Sequence, residues 1–410
     1  MISRNFKNVL VVSIGFLSLF TAYGGLQSLQ SSLNAEQGMG VASLSVIYAS
    51  IIISSMFLPP LMIKNLGCKW TIVAGMACYV SYSFGNLYPG WSQTLTLGPC
   101  SPPRNALLCI VTAAIPEEQL VTCGAADCGL DISVNSTSTR PAQELVWTLV
   151  GSYIGVGVLA MLIVAVFLDN IDREQSSHFR GNREPFCQTF LATFRLLKDW
   201  RLVTLIPLTM YSGFEQSFLS GEYTKNYVTC ALGIHYVGYV MMCFGAANSL
   251  CSFLFGRLAR HTGRAALFFL AALANFACIM ALLFWRPHPD ELPVFFVFPA
   301  LWGMADAIWQ TQTNSLYGIL FPRHKEAAFA NYRMWESLGF VIAFAYSTFI
   351  CLEYKLYILL SVLLLTVVTY PVVEYYEYKN PTPPIQEGAY TSHKETTQIY
   401  DKHIISQTEI

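Results

Sequence analysis

Ten runs of about 20 residues, each nearly free of Asp, Glu, Lys and Arg, dominate this chain, and that is the helix length needed to cross a bilayer's hydrocarbon. They fall at 8–29, 41–63, 70–88, 145–168, 202–219, 234–255, 265–285, 293–312, 336–352 and 356–373. The fifth, eighth and ninth contain or abut a carboxylate, which weakens their apolar signal. Only 12% of the 410 residues are charged and 54% are hydrophobic, too little charge to clothe a soluble protein of this length. Disorder fails on the same grounds, and a net charge of -1 leaves no electrostatic footprint for nucleic acid. No segment shows the in–out alternation of a transmembrane barrel. The sequence predicts an all-α polytopic membrane protein whose first partner is the lipid bilayer.

Threading the spans with the N-terminus in the cytoplasm puts 19 of the 24 Lys and Arg inside and 5 outside (Arg104, Arg140, Lys225, Arg286 and Lys355), as the positive-inside rule requires. No cation is left for the membrane interior. This assignment predicts a first half-bundle of four spans at 1–168, a central cytoplasmic loop at 169–201, a second half-bundle of six spans at 202–373 and a cytoplasmic tail at 374–410. Both termini are then cytoplasmic. The first span is longer than the apolar core of a cleavable signal and no small-residue cleavage site follows it, so it is expected to remain as an anchor.

The longest outer segment, 89–143, carries the sequon Asn135-Ser136-Thr137, a glycosylation site of an outward-facing loop. Cys123 and Cys128 lie in the same segment, where they either join in a disulfide or remain free thiols. The other cysteines lack metal-ligand spacing and read mostly as small apolar fillers. The chain ends Thr408-Glu409-Ile410, the hydroxyl-x-aliphatic form that a PDZ groove takes up by strand addition.

Two parts of the chain repeat. Tyr23-Gly24-Gly25-Leu26-Gln27 resembles Tyr211-Ser212-Gly213-Phe214-Glu215-Gln216, and in both places the next helix ends in a cationic turn: Lys64 to Lys69, and Gly256 to Arg264. Gly256-x-x-x-Arg260-His261-x-Gly263-Arg264 resembles the short cytoplasmic loop motif of major facilitator transporters, with glycines for a tight turn and cations to pin it at the membrane face. Two parallel copies of one helical unit are how such bundles are built. Two unrelated hairpins with basic turns would leave a similar trace.

Carboxylates in lipid are costly, which singles out Glu215, Asp306 and Glu336. Trp302, Asp306, Gln310 and Asn314 recur every four residues and share one helix face, so they line a cavity or an interhelical seam. Arg333 lies three residues before Glu336, within pairing distance on a helix. Glu215 and Asp306 form a cation or proton site, or else act as hydrogen-bonded tethers between helices; the sequence leaves both open. Gly151 and Gly155 form a G-x-x-x-G suited to close helix packing. No phosphate-binding loop, H-E-x-x-H or paired histidines occur, so no catalytic, metal or cofactor site is predicted.

Several runs resemble the Unc-ninety-three (uncoordinated) family. They are the opening run 8–12, the segment 20–33, Ser54-Ser55-Met56-Phe57-Leu58-Pro59-Pro60, Leu301-Trp302-Gly303-x-Ala305-Asp306-Ala307-x-Trp309-Gln310-Thr311-Gln312, and Lys325 to Arg333. The resemblance covers 1–91 and 116–380. It implies a major-facilitator-like bundle of twelve helices in two halves, a plasma-membrane location, and a regulatory or accessory role beside potassium channels, with a sibling that escorts Toll-like receptors. A facilitator-type carrier of solute or cation is the alternative. Where the family pattern places two more spans, this chain has only the short apolar run 106–115, too short for a crossing. The expectation is a bundle missing two helices of the first half, as in a spliced form that need not be functional.

Overall fold

In the computed structural model, residues 4–33, 39–85, 87, 123–128, 143–169, 193–322 and 324–382 are described. The run 106–115, Asn135, most of the central loop and Thr408–Ile410 lie outside these residues.

Lipid leaves a spanning backbone no partner but itself, so the apolar runs become helices. These are α1 (Arg4–Leu33), α2 (Met39–Gly85), α3 (Gln143–Phe167), α4 (Trp200–Ser217), α5 (His235–Thr262), α6 (Arg264–Phe284), α7 (Leu292–Leu320), α8 (Lys325–Tyr346) and α9 (Leu352–Lys379). Among the described residues, six of them (α1, α3, α5, α6, α7 and α9) are long and apolar enough to cross a membrane. Asp199 caps α4 by accepting the Arg201 amide at 3.0 Å. That helix runs on through wide π turns at Phe218–Thr229 and a last α turn at Cys230–Leu232, and Gly233 ends it at φ 92°.

The repeat has a geometric counterpart. Gly67 breaks α2 into two arms at φ 77° and ψ 166°, and Gly263 separates α5 from α6 at φ 80° and ψ 154°. Only glycine takes this conformation without strain, so both cationic turns are built on one backbone device. A second parallel sits at the same end of the bundle. Lys7 pairs with Asp169 at 2.9 Å, joining the start of α1 to the end of α3, and Arg201 lies 4.0 Å from Glu377, joining the start of α4 to the end of α9. The Lys7 ammonium, hydrogen-bonded to Asp169, holds that carboxyl below its ordinary range, against a smaller opposing effect of desolvation. Arg264 of the predicted loop motif binds Glu374 through two nitrogens at 3.0–3.3 Å. Gly256 stands in open space on α5. Arg260 belongs to the same helix, with a side chain outside the described residues.

Packing follows the apolar faces. α1, α2 and α3 share one core, with Leu19, Met76, Val80, Val150, Ala160 and Val164 buried together. A larger core joins α4 through α9. Between them α2 lies along α8, where Leu44 packs with Phe340 and Phe344, and the Tyr48 ring stacks on Phe340 at 3.9 Å.

Three expectations are corrected here. Cys123 does not pair with Cys128: Cys123 is bonded to Cys230 and Cys128 to Cys351, at separations of 107 and 223 residues. The segment Cys123–Cys128 docks on the far ends of α4 and α9, where Gly124 contacts Pro287 and Tyr227 and the Asp127 carbonyl accepts from the Leu352 amide at 2.9 Å. Each thiol thereby faces a partner from the other part of the bundle. Lys355 is not a solvated outer cation, because its side chain is only 5% exposed against Glu222. Finally, Gly151 and Gly155 are exposed with no neighbour within 4 Å. α1 and α2 approach the opposite face of α3, where Gly157 is the close-packing glycine, against Val80.

Candidate functional site

The polar groups of the second half meet because three glycines let helices touch. A Cβ on Gly213 of α4 would overlap the Glu336 carbonyl oxygen of α8, and one on Gly339 would overlap that of Met210. At Gly303 of α7 a Cβ would come within 2.5 Å of the Phe244 carbonyl on α5. The first contact sets Ser212 beside Glu336 and the second sets Asn248 beside Asp306.

Asp306, buried at 3% exposure, has both oxygens engaged. Gln216 of α4 donates to Oδ1 at 3.1 Å and Asn248 of α5 donates to Oδ2 through a short hydrogen bond. Four residues on, Gln310 donates to Ser212 Oγ at 2.9 Å and to Glu336 Oε1 at 3.1 Å, while its own oxygen accepts from the Tyr332 hydroxyl at 2.9 Å. Ser212 and Tyr332 also donate to Glu336 Oε1, each at 3.3 Å. Arg333 donates to Oε2 at 2.7 Å, and its side chain is 54% exposed, so the network reaches the bundle surface through it. Asn314 stays apart, donating to the Gln310 carbonyl at 2.6 Å. Trp302 of the stripe and Trp309 beside it pack rather than bind: Trp302 stacks on Phe218 at 5.6 Å, and Trp309 lies between Tyr211 and Phe268, each at 5.4 Å.

Two further clusters flank this network. Glu215 accepts from Asn275 of α6 at 3.0 Å. Toward the disulfide end, Lys355 of α9 donates to Glu222 Oε2 at 2.8 Å and to the Ser347 carbonyl at 2.6 Å. Asn226 donates to the same Glu222 oxygen at 2.9 Å, and the Ser347 hydroxyl makes a short bond to the other. The π turns present Glu222 and Asn226 together on that inner side. Sequence reasoning missed Ser212, Gln216, Asn248, Asn275, Tyr332, Glu222 and Lys355, since neutral side chains do not stand out in an apolar run and Tyr332, Glu222 and Lys355 lie outside the spans assigned from sequence. Asp306, Gln310 and Glu336 are brought together, with Glu215 in a separate cluster on α4. Hydrogen bonds in a low-dielectric interior strengthen one another, so the arrangement fixes the register of α4, α5, α7 and α8. Among the described residues no group of three His, Cys, Asp or Glu is placed to hold a metal.

A family model described as "Ion channel regulatory protein UNC-93" matches residues 135–370, more than half of the chain. The chain belongs to the UNC-93 family. Protein unc-93 homolog A of Danio rerio is 59% identical across 100% of both chains, and the Homo sapiens protein of that name is 48% identical over 94% of this chain and 96% of its own. A Caenorhabditis elegans relative, named a putative potassium channel regulatory protein unc-93, is 30% identical over 91% of this chain and 61% of its own. The alignment with the Danio rerio member of UNC-93 runs over 464 positions against 410 residues here, so at least 54 positions have no counterpart in this chain. Two crystal structures of the nucleoside transporter NupG share the UNC-93 chain's fold, at TM-scores of 0.57 and 0.53 and 12% identity, covering 89% and 92% of this chain and 98% and 100% of theirs. The likeness establishes a major-facilitator fold for a multi-pass membrane protein.

Proposed function

We propose that this chain is an accessory membrane protein that binds ion-channel subunits, potassium channels first, and regulates them without catalysing a reaction. Membership of a family named for channel regulation carries the reading, and the printed name of the Caenorhabditis elegans relative directs it to potassium. The geometry supports it in one respect. The oxygens of Asp306 and Glu336 accept from neighbouring side chains, as expected of groups that hold helices in register for a docking surface.

The site of action is the plasma membrane, with both termini in the cytoplasm and the Gly67 and Gly263 turns on the inner side, where 19 of 24 cations fall. The 54 or more unmatched positions are enough for two spans of about 20 residues and their connection, and we assign them to the first half. Affinity purification of the full chain from cells expressing potassium-channel subunits tests the reading. Stoichiometric recovery of channel subunits is expected, and recovery of chaperones alone overturns it. The competing carrier reading, built on Asp306 and Glu215, requires uptake that Asp306→Asn alters; flux identical to the parent at every pH removes it.

A further inference from the structure

Glu215 and Asn275 hold two oxygen atoms that no hydrogen-bond donor reaches. Both residues have zero solvent exposure. The two amide hydrogens of Asn275 are spent, one on the Tyr211 hydroxyl at 2.8 Å and one on Glu215 Oε2 at 3.0 Å. Glu215 Oε1 and Asn275 Oδ1 remain, each buried and each without a partner. Among the described residues no Lys, Arg or His forms an ion pair with Glu215. An ionised carboxylate here would leave a charge uncompensated in the apolar core and two acceptors empty, which is costly for each unsatisfied neutral group and more so for the charge.

We infer that Glu215 is a proton-binding site, in which a hydrogen on Oε1 is donated to Asn275 Oδ1 and closes a two-point acid–amide pair between α4 and α6. One hydrogen fills both empty acceptors at once. A hard metal cation asks for six or more oxygens, far more than this pair offers. The titratable groups acting on Glu215 are Tyr211 on its own helix, Cys278 on α6 and Asp306 on α7. Asp306 is committed to Gln216 and Asn248, so it does not compete for the Asn275 amide. The internal repeat points the same way: Glu215 stands where the first copy has Gln27, an uncharged amide that donates to Tyr48 at 2.9 Å. The bound proton makes Glu215 a neutral cross-link and removes it from any permeant-cation path. This inference is independent of the channel-partner reading.

The test is infrared difference spectroscopy on the purified full chain near neutral pH, in light and heavy water. The parent is expected to show a protonated-carboxyl stretch that shifts on deuteration and vanishes in Glu215→Gln. Glu215→Gln supplies an N–H in place of the O–H and is expected to melt close to the parent, whereas Glu215→Leu and Asn275→Leu melt lower by about 5 °C or more. Absence of that band overturns the inference. So does sodium- or potassium-dependent stabilisation of the parent that Glu215→Gln abolishes.

Discussion

Gly213 and Gly339 meet face to face where α4 crosses α8, each beneath the other helix's backbone, with a Gly339 Cβ placed 3.4 Å from the Gly213 Cα. This contact sets Ser212, Gln310, Tyr332 and Glu336 within hydrogen-bonding distance of one another.

A methyl group at either glycine must push the helices apart. Gly213→Ala and Gly339→Ala are expected to destabilise by about 1–3 kcal/mol, the usual cost of overpacking. Gly238→Ala, on a stretch of α5 with open space around it, serves as the silent control. Melting curves in detergent read the difference.

The membrane helices and the two glycine turns were legible in the sequence because lipid imposes a length and an apolar run, and a tight turn imposes glycine. Asp306, Gln310 and Glu336 were legible for the complementary reason, that polarity in lipid stands out. Their partners were not. Gln216, Asn248 and Asn275 are neutral amides that no charge marks out in an apolar run, and their bonds to Asp306 and Glu215 form only once the helices pack. Lys355 misled the charge count because its position near a helix start looks solvated in sequence, whereas the π turns of the chain after Ser217 aim Glu222 at it.

Lys355 and Glu222 share a buried environment, so removing one leaves the other charge unpaired. Lys355→Met alone and Glu222→Gln alone are each expected to cost about 3–5 kcal/mol, and the double variant less than the sum. A double-mutant cycle on thermal unfolding checks this, and strict additivity would sever the pair.

Peptide mapping without reduction is expected to recover Cys123 joined to Cys230 and Cys128 to Cys351. Each bridge closes a long loop and contributes about 2–4 kcal/mol. Reductant should therefore lower the melting temperature of the parent and leave a Cys123→Ser, Cys128→Ser variant unchanged. A Cys123–Cys128 peptide would contradict the structure.

Asp169 titrates below its ordinary range in the folded chain because Lys7 binds its charged form. Its contribution to stability is present above the unfolded carboxyl's pKa and disappears as pH falls through the folded value. Melting temperature followed down through the carboxylate range should drop less steeply in Asp169→Asn than in the parent. High salt should narrow that gap, since the pair is open to solvent.

Recording potassium current from a channel expressed with and without this chain tests regulation most directly. The account predicts an altered current amplitude or voltage dependence with the chain present, and no ion or solute flux from the chain alone. An unchanged channel current, accompanied by flux through the chain alone that Asp306→Asn abolishes, would contradict it.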